Sequence, residues 1–350
     1  MIKYLGSKRL LAPRLAEIAE RLGASTAADL FAGTTRVGQA LRRRGIRVLS
    51  NDTAAYSQVL GHAYIEAGAD VDRERLRALL AELDVLPGVE GYVTETFCRR
   101  ARYFRPENGM RIDAIRAAID RVEVTEVERG LLLTSLLEAA DRVDSTVGVQ
   151  MAYLKRWAPR AANRLTLRQP EPVPGPPGTT TREDANALAS QLDGVDLAYV
   201  DPPYNQHSYA GNYHVWETIV RGDEPDHYGV ACKRIDVRER RSTYNSRRRS
   251  WDALTELVAA LPVRWLIVSF SNEGFHELEQ MQTLLGTRGH TAMVAVDAPR
   301  YVGARIGIHN PAGERVGRVS HVRMTEAVFV CGPDPAAIAR AVDGALPVAV

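Results

Sequence analysis

Asp201-Pro202-Pro203-Tyr204 follows an apolar, strand-like run, Leu197-Ala198-Tyr199-Val200, and joins an acid, two prolines and an aromatic ring in four positions. These residue types suit methylation of an amine conjugated to an aromatic base. Such an amine is a weak nucleophile because its lone pair is delocalised into the ring, so a site that alkylates it must hold both N–H bonds in acceptors. The Asp201 carboxylate and the Pro202 carbonyl are the candidate acceptors. Pro202 and Pro203 each fix φ at about −65° and lack an N–H, which stiffens the turn and leaves carbonyls free. Tyr204 is placed to stack on the base. By itself the tetrapeptide also reads as a turn that ends a strand, so the rest of the chain must decide.

Ala28-Asp29-Leu30-Phe31 leads into Ala32-Gly33-Thr34-Thr35-Arg36-Val37-Gly38, a helical stretch at 39–44, and Ile46-Arg47-Val48-Leu49-Ser50 ending at Asn51-Asp52. Strand, glycine turn, helix, strand and acid make a βαβ unit, in which an acid closing the second strand accepts the ribose hydroxyls of a nucleoside cofactor. Asp52 is that acid. The pattern is shared by S-adenosylmethionine and dinucleotide sites. Asp29, inside the strand end, suits an amino-acid ammonium and opposes a pyrophosphate, and the turn lacks the G-x-G-x-x-G spacing. S-adenosyl-L-methionine is therefore the expected cofactor.

Lys3-Tyr4-Leu5-Gly6-Ser7-Lys8, Asp29-Leu30-Phe31-Ala32-Gly33 and Asp201-Pro202-Pro203-Tyr204 occur in that order. In this the chain resembles the Dam-like, alpha-group DNA adenine-N6 methyltransferases, from Lys3 to the C-terminal strands, loosely across residues 60–180. The resemblance implies site-specific methyl transfer to a flipped-out adenine in double-stranded DNA, in a restriction-modification or phage-defence setting with a cognate endonuclease. It gives Tyr4 and Lys8 the family's N-terminal cofactor contacts, and Asp52 the ribose. Asp184 falls beside the cofactor adenine, and Asp201 is the catalytic acid, itself bordering the cofactor. Phe31 and Gly33 belong to the cofactor turn. Thr35 departs from the Gly-Thr-Gly often found there, because a β-branched residue does not easily adopt the positive φ that glycine allows. Cytosine-N4, RNA or protein-amide methylation, and an inactive DNA-binding homologue, are the alternatives.

With 45% hydrophobic and 25% charged residues, the 350-residue composition is that of a globular protein. The net charge is only +2, so a nucleic-acid surface must come from local clustering. Residues 97–105 mix basic and aromatic side chains, Arg99 and Arg102 among them, ahead of an Asn108-Gly109 turn signal. Such a mixture suits phosphate contacts and stacking on bases. Residues 221–250 hold nine Lys/Arg against five Asp/Glu, and Arg240, Arg241, Arg247 and Arg248 are candidate phosphate ligands. The plainer readings are an amphipathic surface segment at 97–105 and a solvated basic face at 221–250.

His207 and His214 lie in a polar, aromatic run at 205–216 that reads as a mobile substrate loop, with no metal expected. Three scattered cysteines argue against a disulfide framework or a cysteine zinc site and fit a reducing cytoplasm. No export signal or membrane-length apolar run is visible.

The expected fold is α/β, a Rossmann-like methyltransferase mixed sheet flanked by helices, with an inserted, mainly helical target-recognition lobe. The catalytic domain is assigned to residues 1–60 and 180–350 and the lobe to 61–179. Helices are expected at 75–83 and 126–143, a proline-rich linker at 170–177, and strands at 265–272, 293–296 and 326–330. Residues 301–323 read as an exposed hairpin.

Overall fold

Leu197–Val200 and Trp265–Ser271 are apolar without strict alternation, as strands covered on both faces must be, and every residue in both is buried. They form the centre of a seven-stranded sheet in the computed structural model, which describes residues 2–299, 308–309, 315–317 and 323–344. The strands are β1 (Thr26–Asp29), β2 (Arg47–Asn51), β3 (Thr179–Thr181), β4 (Leu197–Val200), β5 (His227–Tyr228) and β6 (Lys233–Arg234). They continue with β7 (Trp265–Ser271), β8 (His290–Pro299), β9 (Ile308–His309), β10 (Arg315–Gly317) and β11 (Arg323–Gly332). The sheet runs β3-β2-β1-β4-β7-β11-β8. Its first five strands are parallel, and β11 lies antiparallel between β7 and β8. This is the mixed, mostly parallel, helix-flanked sheet expected of a Rossmann-like methyltransferase.

Ala28, Ala198, Val200, Leu266, Val268 and Phe329 share a core with the helices Ala185–Ala189, Ser250–Ala260 and Leu278–Gly286. A second helix group, Ala12–Arg21 with Arg36–Arg43 and Pro335–Val342, packs together and against the strands, Arg36–Arg43 on β1 and β2 and Pro335–Val342 on β8 and β11. The chain steps outward from β1 to β2 and β3, then returns to place β4 on the other side of β1. Open α/β sheets bind ligands outside the carboxyl ends of the strands at such a reversal.

Two compact units make up the chain. The sheet unit comprises Gly6–Thr53, Val173–His207 and the chain from Ser242 onward; the helical unit comprises the segment up to Leu5, Ala54–Pro172 and Ser208–Arg241. In the helical unit, Glu126–Val143 begins with a capping box in which Thr125 and Glu128 satisfy each other's backbone N–H. Three local expectations are corrected there. Asn108-Gly109 is not a turn but part of the helix Pro106–Ile119, with the Asn108 side chain donating to the Asn163 carbonyl and accepting from the Leu165 N–H. Phe97, Tyr103 and Phe104 are core residues, at most 1% exposed, and are closed to stacking on bases. The run at 205–216 is not a mobile loop over its second half: residues 211–220 are all buried, mostly in the helix His214–Arg221. Gln150 binds that helix's first N–H groups, and its carbonyl meets His214 Nε2 at 2.9 Å. The hairpin expected at 301–323 lies largely outside the described residues; within it β9 pairs antiparallel with β10. Among the described residues, no helix is long and apolar enough to cross a membrane.

Gly130 faces the π-helical turn His62–Glu66 so closely that an added Cβ would stand 2.4 Å from the Cβ of His62. Helix propensity alone makes Gly130→Ala stabilising by about 1 kcal/mol. The clash involves the root of the His62 side chain, which no rotamer change relieves, and overpacking of this kind costs roughly 1–3 kcal/mol. Chemical denaturation of Gly130→Ala is expected to show a net loss of stability; a neutral or stabilised variant contradicts the packing.

Candidate active site

β1 and β4 pair in parallel with Asp29 opposite Tyr199, so Asp29 and Asp201 stand at the same end of adjacent strands, where the strand order reverses. Asp29 is 1% exposed. Its Oδ2 accepts the Gly38 N–H at 3.2 Å, and its Oδ1 has no hydrogen-bond partner. Burial, and then the neighbouring Asp201 charge, push its carboxyl up to about 8.

Lys8 enters from the segment before the first helix. Its ammonium lies 2.9 Å from Asp201 Oδ2 and 2.6 Å from Glu326 Oε1, with 8% of the side chain exposed. Burial works against the Lys8 charge, but Asp201 and Glu326 more than offset it, and the ammonium is held well above its ordinary pKa. For Asp201, burial raises the carboxyl, Lys8 opposes, Glu326 adds to the rise, and the result is about 6. The acid, partly exposed, and the buried lysine thus form an ion pair that a second carboxylate shares.

The turn after β1 is closed by Asp52, whose Oδ2 accepts the Gly33 N–H at 2.9 Å. Thr35 adopts the left-handed conformation, φ 58°, that the sequence made unexpected for its residue type. Its N–H donates to the Ala32 carbonyl at 2.7 Å, its carbonyl accepts the Gln39 N–H at 2.8 Å, and Gln39 Nε2 donates to its Oγ1 at 2.9 Å. The turn keeps its glycine-like shape without the glycine. Phe31 meets the Tyr244 ring edge-on at 5.3 Å, and Asp184 caps the helix Ala185–Ala189 by accepting the N–H groups of Asn186 and Ala187.

The loop after β4 is anchored on both sides. The Tyr204 carbonyl accepts the Phe275 N–H at 2.8 Å, and its ring packs against Phe270 at 5.8 Å. Asn245 donates from Nδ2 to the carbonyls of Asn205 and His207, at 2.8 and 3.0 Å.

The sheet unit therefore holds Lys8, Asp29, Phe31, Gly33, Asp52, Asp184 and Asp201 through Tyr204. Tyr4 belongs to the helical unit, where it stacks on Tyr213 at 4.4 Å and on Tyr209 at 5.5 Å. The arginines divide by partner. Arg99 pairs with Glu90 and Glu95, Arg102 lies over the Trp157 ring at 4.7 Å, and Arg240 pairs with the buried Glu217 at 2.7 Å. Arg241, Arg247 and Arg248 are exposed, Arg247 lying 5.3 Å over the Phe275 ring. Glu326 and Asn245 were missed by the sequence reading: one is a strand residue in an apolar run, the other a lone amide beside arginines. Neither carries a local signal.

A family model described as D12 class N6 adenine-specific DNA methyltransferase matches residues 4–284. The type II methyltransferase M.FokI of Planomicrobium okeanokoites is 32% identical over 82% of this chain, and the chain spans only 47% of that relative's length. M.NlaIII of Neisseria lactamica is 32% identical over 86% of this chain and 92% of its own length. M.CviAII of Paramecium bursaria Chlorella virus 1 is 30% identical with the same two coverages, 86% and 92%.

Asp29 links the site to stability. Its folded pKa, about 8, lies above its ordinary 3.8, so between these values the folded state holds a proton that the unfolded state has released. Its contribution therefore falls as pH rises from about 4 to about 8, then levels off. Without ligand, Asp29→Asn is expected to melt several degrees above the parent at pH 8, at roughly 1–2 °C per kcal/mol for a chain of this length, and to match it near pH 4. Melting curves at the two pH values check this; a difference that does not change with pH contradicts it.

Proposed function

This chain belongs to the D12 class N6 adenine-specific DNA methyltransferase family, and on that premise we propose that it moves a methyl group from S-adenosyl-L-methionine to N6 of an adenine turned out of double-stranded DNA. The observation that carries the reading is the juxtaposition of Asp29 and Asp201 at the order reversal of the sheet, with Pro202, Pro203 and Tyr204 directly after. The unpartnered, buried Oδ1 of Asp29 fits an amino-acid ammonium. Asp52, fixed at the rim of the turn, is assigned to the ribose, and Phe31, Gly33 and Asp184 to the rest of the nucleoside.

The cofactor supplies an electrophilic methyl on a sulfonium, which needs no metal to react. An adenine inside the duplex cannot present its amine to that methyl, so the base must first leave the stack. Tyr204 then stacks on it. The Asp201 carboxylate and the Pro202 carbonyl accept the two amine N–H bonds, which localises the lone pair on N6 and aims it in line with the methyl. With the cofactor bound, transfer would form the N–C bond at the expense of its S–C bond, whose electron pair would remain with the departing thioether. Nitrogen, briefly cationic, becomes acidic enough to release its proton to Asp201 or water. Arg102, Arg241, Arg247 and Arg248 are assigned to backbone phosphates, where they add affinity but little sequence information. The names of the relatives support a place in a type II modification system, with a cognate endonuclease as the further partner and the cytoplasm as the compartment.

Asp201→Ala is expected to fold as the parent does and to lose single-turnover methylation of duplex DNA by roughly 10²-fold or more, with cofactor binding retained. Full activity in that variant overturns the assignment.

Asp201 must be ionised to accept the amine. With its carboxyl at about 6, kcat/KM is expected to hold above that pH and to fall tenfold per unit below it. A rate that is flat from pH 5 to 8 contradicts the role.

A further inference from the structure

β11 brings to the site a residue that no motif announces. Glu326 pairs in register with Ser271, the last residue of β7, and so stands at the sheet edge where the parallel strands end. It is 8% exposed. Its Oε1 lies 2.6 Å from the Lys8 ammonium, which meets Asp201 Oδ2 at 2.9 Å. One cation serves two carboxylates, and the ionised triad carries a net charge of −1.

We propose that Glu326 is a positioning residue for methyl transfer, anchoring Lys8 against Asp201 while leaving the triad one negative charge in excess for a cationic reaction centre. The proposal rests on Asp201 as the acceptor of the adenine amine. Two physical arguments carry it. Lysine is a point charge on a flexible four-carbon stem, and a single carboxylate leaves it free to rotate about that contact; a second anchor on a rigid strand removes the freedom. A Lys–Asp pair alone is neutral, so Asp201 would offer a developing positive charge little that Lys8 had not already taken. With Glu326 present the triad attracts a cation, and in a partly desolvated site that attraction is stronger than in water.

The charged and titratable groups that face Asp201 are Lys8 from the N-terminal segment, Glu326 from β11, Tyr199 and Tyr204 from its own strand and loop, and Asp29 from β1. The Tyr199 hydroxyl donates to Ser269 Oγ at 2.9 Å. Among the described residues, Lys8 is the only cation in this set.

The test uses the full chain with S-adenosylmethionine and unmethylated genomic DNA, comparing parent, Glu326→Gln, Glu326→Asp and Asp201→Ala. Glu326→Gln is expected to lower the single-turnover rate at saturating cofactor at least tenfold. It is also expected to move the acid limb of the rate to lower pH, because Lys8 then attends Asp201 alone. Glu326→Asp restores the carboxylate and is expected to recover part of the rate and to return the limb toward the parent's. A Gln variant with the parent's rate and limb overturns the proposal. Equal losses in Gln and Asp with an unmoved limb also overturn it, since they mark a merely structural side chain. If Glu326→Gln does not fold, the Asp variant decides: a limb between the parent's and a lower pH supports the proposal, and an unmoved one refutes it. An inactive Asp201→Ala beside a parent-like Glu326→Gln refutes Glu326 alone; an active Asp201→Ala removes the premise and the proposal with it.

Discussion

Three carboxylates gathered at one edge of a sheet, with one buried lysine to balance them, are the constraint on which this structure turns. Two unit charges about 4 Å apart interact by about 4 kcal/mol at an effective dielectric constant near 20, comparable to a large share of the stability of a folded domain. Lys8 offsets part of the repulsion by touching Asp201 and Glu326. Among the described residues Asp29 has no cation in contact, and it answers by holding its proton. A positively charged ligand completes such a site; an anionic one is opposed by it. The strand order imposes the arrangement, because only the return of the chain to place β4 beside β1 brings Asp29 and Asp201 side by side. The antiparallel insertion of β11 next to β7 then supplies Glu326.

The same edge stores backbone strain. A non-glycine residue in the left-handed region costs roughly 1–2 kcal/mol, and Thr35 sits there at φ 58°, completely buried. Its three hydrogen bonds within the turn and the following helix hold the conformation. The departure from glycine that raised doubt about the turn therefore leaves its shape in place, and strain of this kind concentrates where a ligand must be approached closely.

Much of the sheet was legible in the sequence because its signals are local. Continuous apolar runs mark β4 and β7, glycine punctuates the exit from β1, and Asp52 closes β2. The chemistry-bearing tetrapeptide sits at a strand end that its own flanks announce. Glu326 was invisible for the opposite reason: its importance arises only from the register of β11 against β7, and a sequence reader sees one acid opening an apolar strand. The dipeptide Asn108-Gly109 misled because turn statistics describe isolated segments, whereas here Asn108 spends its polar atoms on the backbone of residues 163–165 and remains helical. Charge counting failed in a similar way at 221–250. Arg234, 2% exposed, is locked between Asp223 and Asp236, and Arg240 is tied to Glu217, so part of that basic run is internal scaffold.

The central claim is that this edge transfers a methyl group to the N6 of adenine in DNA. Its most direct test is incubation of the purified chain with isotope-labelled S-adenosylmethionine and unmethylated genomic DNA, followed by nucleoside mass spectrometry. Labelled N6-methyladenine, confined to one short sequence context, is the expected product. Label appearing as N4-methylcytosine, or absent from DNA while the cofactor still binds, would contradict it.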